Sequence, residues 1–293
     1  MALNIATFRK RALTAFIFVA VMLTGLLWNQ WSFFILFSII HFGCWIEYQK
    51  IMGLIDHEYS EITGFHRYGV MLAGWCIMLY FTRNMLPAHT LSLHAIGWWM
   101  GLIFVFLLPI IEILFARQHN LKNVAHSFFG LLYISLSWGL MMDLRNYTLR
   151  IEPGTVVNLD LVFPLVIIVA MWINDTMAYL TGSFIGKTPF SSISPKKTWE
   201  GTIGGVIFCM ITIALLSRVI EPLKFVPVIH WIMIAFICAV IGNCGDLLES
   251  KLKRLANVKD SGSIMPGHGG FLDRFDSLLL TTPFVWAYVM LFM

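Results

Sequence analysis

Residues 159–181 read LDLVFPLVIIVAMWINDTMAYLT, a run of 23 residues in which Asp160 and Asp175 are the charged positions. A bilayer core of roughly 30 Å needs about 20 apolar residues of helix, so this run is long enough to cross one. The run is continuously apolar rather than alternating, which excludes a barrel strand and predicts a helix whose backbone groups are satisfied within the segment. An ionisable residue at the depth of Asp175 costs several kcal/mol unless it is paired, metal-bound or hydrated. Asn174, Asp175, Thr176 and Tyr179 therefore mark either a functional site or an aspartate that reaches headgroup water.

Outward from this run the same rule finds eight more, near 12–28, 31–46, 68–86, 95–115, 126–143, 201–220, 228–246 and 277–293. The expected fold is all-α, a polytopic integral membrane protein of about nine transmembrane helices. Composition agrees. Of 293 residues, 58% are hydrophobic and 12% charged, against roughly 25% charged in soluble domains. Such a chain lacks the polar surface for a water-facing exterior. A net charge of +4 without a basic, aromatic-interleaved stripe excludes nucleic acid as a partner.

Arg9, Lys10 and Arg11 precede the first run, and no small-residue cleavage site follows it, so an uncleaved first span is expected. With the N-terminus in the cytoplasm, fifteen of the 20 Lys and Arg residues fall inside. Outside are Arg83, Arg145, Arg150, Arg218 and Lys224, an asymmetry that fits the positive-inside rule. The five cysteines lie in apolar stretches without a CxxC pair and read as small core residues. The expected division is a spanning N-terminal region, 1–158, and a C-terminal region, 159–293, with a polar site facing the cytoplasm. A transporter built on inverted halves is disfavoured because no internal repeat is evident.

Polar residues concentrate in the second region. Ser194-Pro195-Lys196-Lys197-Thr198-Trp199-Glu200-Gly201 precedes a span. Its lysines suit a phosphate at a helix N-terminus, and taken alone they also suit a plain topology signal. Between Asp246 and Asp276, 31 residues hold ten of the 36 charges. Asp246 and Glu249 are three apart, as are Asp273 and Asp276. On a helix each pair lies about 5–6 Å apart and repels, so either a divalent cation or the cations Arg254, Lys259 and Arg274 must offset it. Pro266-Gly267-His268-Gly269-Gly270 cannot be helix interior and offers N–H groups to an anion. Carboxylates, cations and a Gly-rich turn together are the equipment of phosphoryl or nucleotidyl transfer.

The run Ser250 to Asp276 resembles the signature of the phosphatidate cytidylyltransferases. It carries Ser250, Leu252, Lys253, Arg254, Lys259, Asp260, Pro266, His268, Gly269, Gly270, Asp273, Arg274 and Asp276, thirteen specified positions in 27. Residues 174–179 and 194–201 resemble the family too, in the expected order, with Met177 where the family commonly has Gly. The likeness covers the last 120 residues closely and the rest in span pattern. It implies transfer of cytidylyl from CTP to phosphatidic acid, giving CDP-diacylglycerol and pyrophosphate, with Mg²⁺ alone or with a second cation. It also implies a bacterial-type inner membrane, contact with membrane lipids and a homodimer.

On this resemblance the metal falls to Asp246 and Asp273 first, with Asp276 and Asp175 as ligands or support. Lys196, Lys197, Lys259, Arg254 and Arg274 hold phosphates, Gly267, Gly269 and Gly270 wrap the phosphate chain, and His268 makes a phosphate contact. Competing readings are a CTP-dependent polyprenol kinase, which releases CDP, and an anion transporter with Asp175 in its pathway.

Overall fold

A computed structural model describes residues 5–83, 92–115, 121–152, 155–263 and 269–293. In chain order the elements are α1 (Ile5–Leu27), α2 (Gln30–Ile55), α3 (His57–Ser60), α4 (Gly64–Phe81), α5 (Leu93–Phe115), α6 (Leu121–Gly130), a π-helical stretch (Leu131–Leu136), α7 (Ser137–Arg145), β1 (Thr148–Glu152), β2 (Thr155–Asn158), α8 (Val162–Ile185), α9 (Trp199–Val219), α10 (Glu221–Lys224), α11 (Val228–Leu255) and α12 (Leu272–Phe292). Among the described residues the protein is all-α apart from one antiparallel hairpin, β1–β2.

Among the described residues seven helical stretches are long and apolar enough to cross a membrane. They are α2, α5, the continuous Leu121–Arg145, α8, α9, α11 and α12. The two remaining expected runs fall on α1, whose described apolar part is Phe16–Leu27, and on α4; residues 84–86 of the expected 68–86 run lie outside the described residues.

Helix ends are set locally. Asn29 Oδ1 accepts the Ser32 N–H at 2.8 Å and Ser32 Oγ accepts the Asn29 N–H at 3.0 Å, a reciprocal cap that starts α2. Thr63 caps α4, and Thr198 caps α9 by accepting the Gly201 N–H at 3.2 Å.

The chain forms two compact units, each drawn from two stretches: Met1–Gly139 with Leu252–Phe275, and Leu140–Lys251 with Asp276–Met293. The expected division near residue 158 follows the distribution of polar residues, whereas the units follow packing.

In the first unit Phe33, Phe37, Trp45, Tyr48 and Trp138 are buried. The rings of Phe37 and Trp138 lie 4.9 Å apart, and Trp138 meets Phe275 edge-on at 5.6 Å. The π-helical stretch sits where Ser135 Oγ accepts from Trp45 Nε1 at 2.8 Å and lies 3.0 Å from His41 Nε2. Widening the helix there turns one hydroxyl towards both rings.

In the second unit α8 and α9 pack closely. A Cβ at Gly201 would lie 2.7 Å from the Ala178 carbonyl oxygen, and one at Gly205 2.8 Å from that of Asn174. The Gly201-x-x-x-Gly205 pair thus serves a helix contact within the chain. Trp231 and Phe163 fill the adjacent core, their rings 5.5 Å apart.

Candidate active site

The second unit gathers Asp175 from α8, Lys197 from the loop before α9, Asn243, Asp246 and Glu249 from α11, and Asp276 from the start of α12. Two features hold that loop. Phe190 N–H donates to the Lys197 carbonyl at 2.8 Å and Trp199 N–H to the Thr188 carbonyl at 3.0 Å. The Glu200 carboxylate accepts the Lys187 N–H at 3.1 Å and the Thr188 hydroxyl at 2.8 Å. The loop so fixed carries Lys197 to an ion pair with Asp246, and Lys197 Nζ donates to Asn243 Oδ1 at 3.2 Å. Asn243 is held by its own bond to the Ala239 carbonyl at 2.7 Å.

One carboxylate oxygen each from Asp246, Glu249 and Asp276 lies within 4.8 Å of the others. Glu249 is fully buried and Asp276 nearly so. Gly245 permits this arrangement, because a Cβ there would lie 2.7 Å from the Asp276 carbonyl oxygen and would push α12 away. Asp175 is within electrostatic reach of both Lys197 and Asp246, and its Oδ1 accepts from Asn174 Nδ2 at 3.3 Å. The donor set is all carboxylate oxygen, the hard chemistry that suits Mg²⁺.

Asp273 belongs to another network, within the first unit. Its Oδ1 accepts from Lys253 Nζ at 2.6 Å. Its Oδ2 accepts the N–H groups of Gly270 at 2.7 Å and Ser261 at 2.9 Å, and the Ser261 hydroxyl at 2.9 Å. Glu47, from α2, completes the network. Its carboxylate accepts the N–H groups of Phe271 at 2.9 Å and Leu272 at 2.8 Å and the Ser261 hydroxyl at 2.7 Å. The first turn of a helix leaves its N–H groups without intrahelical partners, and the buried Glu47 accepts the first of them, that of Leu272, at the start of α12.

Two glycines are required here. Gly269 has φ +83°, and a Cβ on it would lie 2.5 Å from Asp273 Oδ2. A Cβ on Gly270 would run into the Glu47 carboxylate.

Of the residues expected from sequence, the structure brings Asp246, Asp276, Asp175 and Lys197 together, and adds Glu249, whose spacing from Asp246 had marked it. Within the first unit Asp273 stands with Lys253, Ser261 and Gly270. Lys196, Lys259, Arg254 and Arg274 are exposed, Arg254 turning Nη1 to the Val258 carbonyl at 3.5 Å. Gly267 and His268 lie outside the described residues. Glu47 was missed. An acid next to an apolar run carries the same signal as Asp175, but the run drawn as 31–46 ended one residue short of it.

The family model described as "Cytidylyltransferase family" matches residues 9–292. A phosphatidate cytidylyltransferase of Bacillus subtilis is 32% identical over 227 residues, covering 76% of this chain and 80% of that protein. The chloroplastic phosphatidate cytidylyltransferase 5 of Arabidopsis thaliana is 46% identical over 119 residues, covering 40% of this chain and 29% of that one. A phosphatidate cytidylyltransferase of Rickettsia conorii is 44% identical over 117 residues, covering 38% and 51%.

Proposed function

This chain belongs to the cytidylyltransferase family, and on that premise we propose that it is a membrane-embedded nucleotidyltransferase that moves cytidylyl from CTP to phosphatidic acid, giving CDP-diacylglycerol and pyrophosphate. The observation that carries this reading is the meeting of Asp246, Glu249 and Asp276 within 4.8 Å, beside a lysine held by Asp246. A phosphatidate oxygen forms the new bond to the α-phosphorus of CTP, the bond to the bridging oxygen breaks, and pyrophosphate leaves with those electrons. The nucleophile is already an anion, so the barrier is chiefly repulsion between two polyanions, and charge neutralisation with positioning is what the protein must supply.

Asp246, Glu249 and Asp276 are the residues that would hold Mg²⁺, with Asp175 in support. The bound ion supplies neutralisation of the triphosphate's charge. Glu249 joins the proposed ligands on this geometry, and Asp273 keeps its proposed place beside Asp246, its oxygens also receiving Lys253, Ser261 and Gly270. Lys197 orients a phosphate from its fixed loop, and Lys196, Lys259, Arg254 and Arg274 provide further cations for the phosphate chain. His268 and Gly267 are proposed phosphate contacts, and Gly269 and Gly270 shape the turn. No general base is needed.

The polar site faces the cytoplasm of a bacterial-type inner membrane with the N-terminus on the same side, supported by the lysine and arginine distribution. A homodimer is part of the proposal and is read directly from the mass of the detergent-solubilised protein.

Purified protein in mixed micelles with CTP and phosphatidate is expected to release pyrophosphate and form CDP-diacylglycerol in a Mg²⁺-dependent way. Release of CDP with a phosphorylated polyprenol would establish the kinase reading instead. Proteoliposome flux of an anion without CTP turnover would establish the transporter.

A further inference from the structure

A cavity of about 600 Å³ opens beside α2, α3 and α4 in the first unit. Among the described residues its lining holds the cations Lys50 and Arg67 with His57 beside them, an apolar wall that includes Ile46, Leu54 and Met71, and no carboxylate. Lys50 and Arg67 are among the fifteen cations on the expected cytoplasmic side, and the proposed reaction uses neither.

The cavity is shaped by local contacts. Gly53 lets the α3 turn fold back onto α2, since a Cβ there would lie 3.2 Å from the Ser60 Cβ. The Ser60 carbonyl then accepts Arg67 Nη2 at 3.1 Å, and the buried Gln49 donates its Nε2 to the Arg67 carbonyl at 3.0 Å. The guanidinium is thus pinned at one corner while its Nε is buried without an acceptor. Among the described residues neither Lys50 nor Arg67 has a carboxylate partner, whereas His57 lies 4.0 Å from Glu61.

Charge and polarity together select the occupant. An arginine fork matches phosphate oxygens, and a lysine beside it adds a second positive charge. Free phosphate would use those cations but leave the apolar wall unfilled. Ile46 and Leu54 are both more than half exposed, so an occupant with hydrocarbon attached covers surface that an ion cannot. A zwitterionic headgroup would bring its own cation against Lys50 and Arg67. Basic pockets between membrane helices favour net-anionic lipids for this reason.

We propose that this cavity binds one net-anionic phospholipid, its phosphate on Lys50 and Arg67 and its first acyl carbons along Ile46, Leu54 and Met71. Its lining shares no residue with the carboxylate group, and the proposal does not depend on the proposed reaction.

The test uses the full chain in phosphatidylcholine nanodiscs carrying a small fraction of spin-labelled phosphatidylglycerol, which has the phosphate and the negative charge but is not the proposed substrate. A motionally restricted fraction is expected that exceeds the one seen with spin-labelled phosphatidylcholine. The Lys50→Gln, Arg67→Gln double variant should lower that preference on the order of tenfold. Leu54→Trp, which fills the apolar wall and leaves both cations, should weaken retention of phosphatidylglycerol as well. A thermal midpoint near that of the wild type shows the variants are folded. Should the double variant not fold, Arg67→Lys, which keeps the charge and loses the fork, is expected to reduce the preference on its own. An unchanged preference in the folded double variant or in Arg67→Lys, equal restriction of the two lipids by the wild type, or full displacement by millimolar inorganic phosphate would each overturn the proposal.

Discussion

Glu47 Oε2 accepts the backbone N–H of Leu272 at 2.8 Å, across 225 positions of sequence. With Phe271 N–H and the Ser261 hydroxyl on the same carboxylate, a buried acid of α2 becomes the cap of α12. Negative charge is favourable at a helix N-terminus and more so when partly shielded from water. Gly270 immediately precedes this helix and Asp273 lies in its first turn, so the geometry of the family's signature rests on a residue outside it.

Replacing Glu47 with Gln removes the charge and turns an amide N–H₂ towards backbone donors. We expect a loss of about 2 kcal/mol in stability, read as a lowered thermal midpoint in detergent, with reduced turnover. A wild-type midpoint in E47Q would show that the cap carries no energy.

Gly270→Ala should lower the midpoint as well, because the added methyl meets the Glu47 carboxylate. The two sites are coupled, so Glu47→Asp, which withdraws the carboxylate by one methylene, should restore part of the loss. A double-mutant cycle measures this, with expected coupling of about 0.5–3 kcal/mol. Strict additivity would refute the contact.

For the carboxylate group, Asp246→Asn, Glu249→Gln and Asp276→Asn should each raise the Mg²⁺ concentration for half-maximal turnover and cut turnover by about 100-fold, while chelation should silence the wild type. Asp273→Asn should act differently. Its first effect is to remove the carboxylate charge that Lys253, only 13% exposed, meets at 2.6 Å, which lowers stability. If Asp273→Asn shifts the Mg²⁺ titration more than Glu249→Gln does, the assignment of Glu249 fails.

Lys197→Ala frees Asp246 and Asn243 together. The expected result is a KM for CTP or phosphatidate raised on the order of tenfold, the size of one charge-assisted contact. Unchanged apparent affinity for both substrates would argue that Lys197 only neutralises Asp246.

Gly205→Leu forces a side chain into the Asn174 backbone, 2.8 Å from where a Cβ would stand. Overpacking costs about 1–3 kcal/mol, so the thermal midpoint should drop. The seam lies within the chain, and light scattering should therefore find the oligomeric state unchanged.

Helix positions were legible because lipid enforces them run by run, but several limits were not. α2 extends to Ile55 and α11 to Leu255, where hydropathy ended them near 46 and 246. Hydropathy counts a charged or polar residue as exposed to its solvent. Glu47, Tyr48 and Gln49 are buried and continue α2, their polar atoms satisfied by Phe271, His126 and Arg67. The β1–β2 hairpin was also unseen, since five- and four-residue strands between long apolar runs carry little periodic signal.

The candidate site divided in the same way. Asp246 and Glu249 one turn apart on α11 were readable as a repelling pair, and the signature from Ser250 to Asp276 was readable as a family mark. Nothing in the spacing told which carboxylates would meet, because Asp273 and Asp276 differ by one helical turn and both face polar partners.

By itself, the sequence determined that this chain spans a membrane as helices: apolar runs of that length must satisfy every backbone group internally, and each run meets that demand alone. Tertiary structure decided the pairing of its charges. Whether an acid holds a helix end, as Glu47 does, pairs with a lysine and loop N–H groups, as Asp273 does, or joins other carboxylates, as Asp276 does, depends on which N–H groups and cations packing brings within about 3 Å, where charge-assisted hydrogen bonds form.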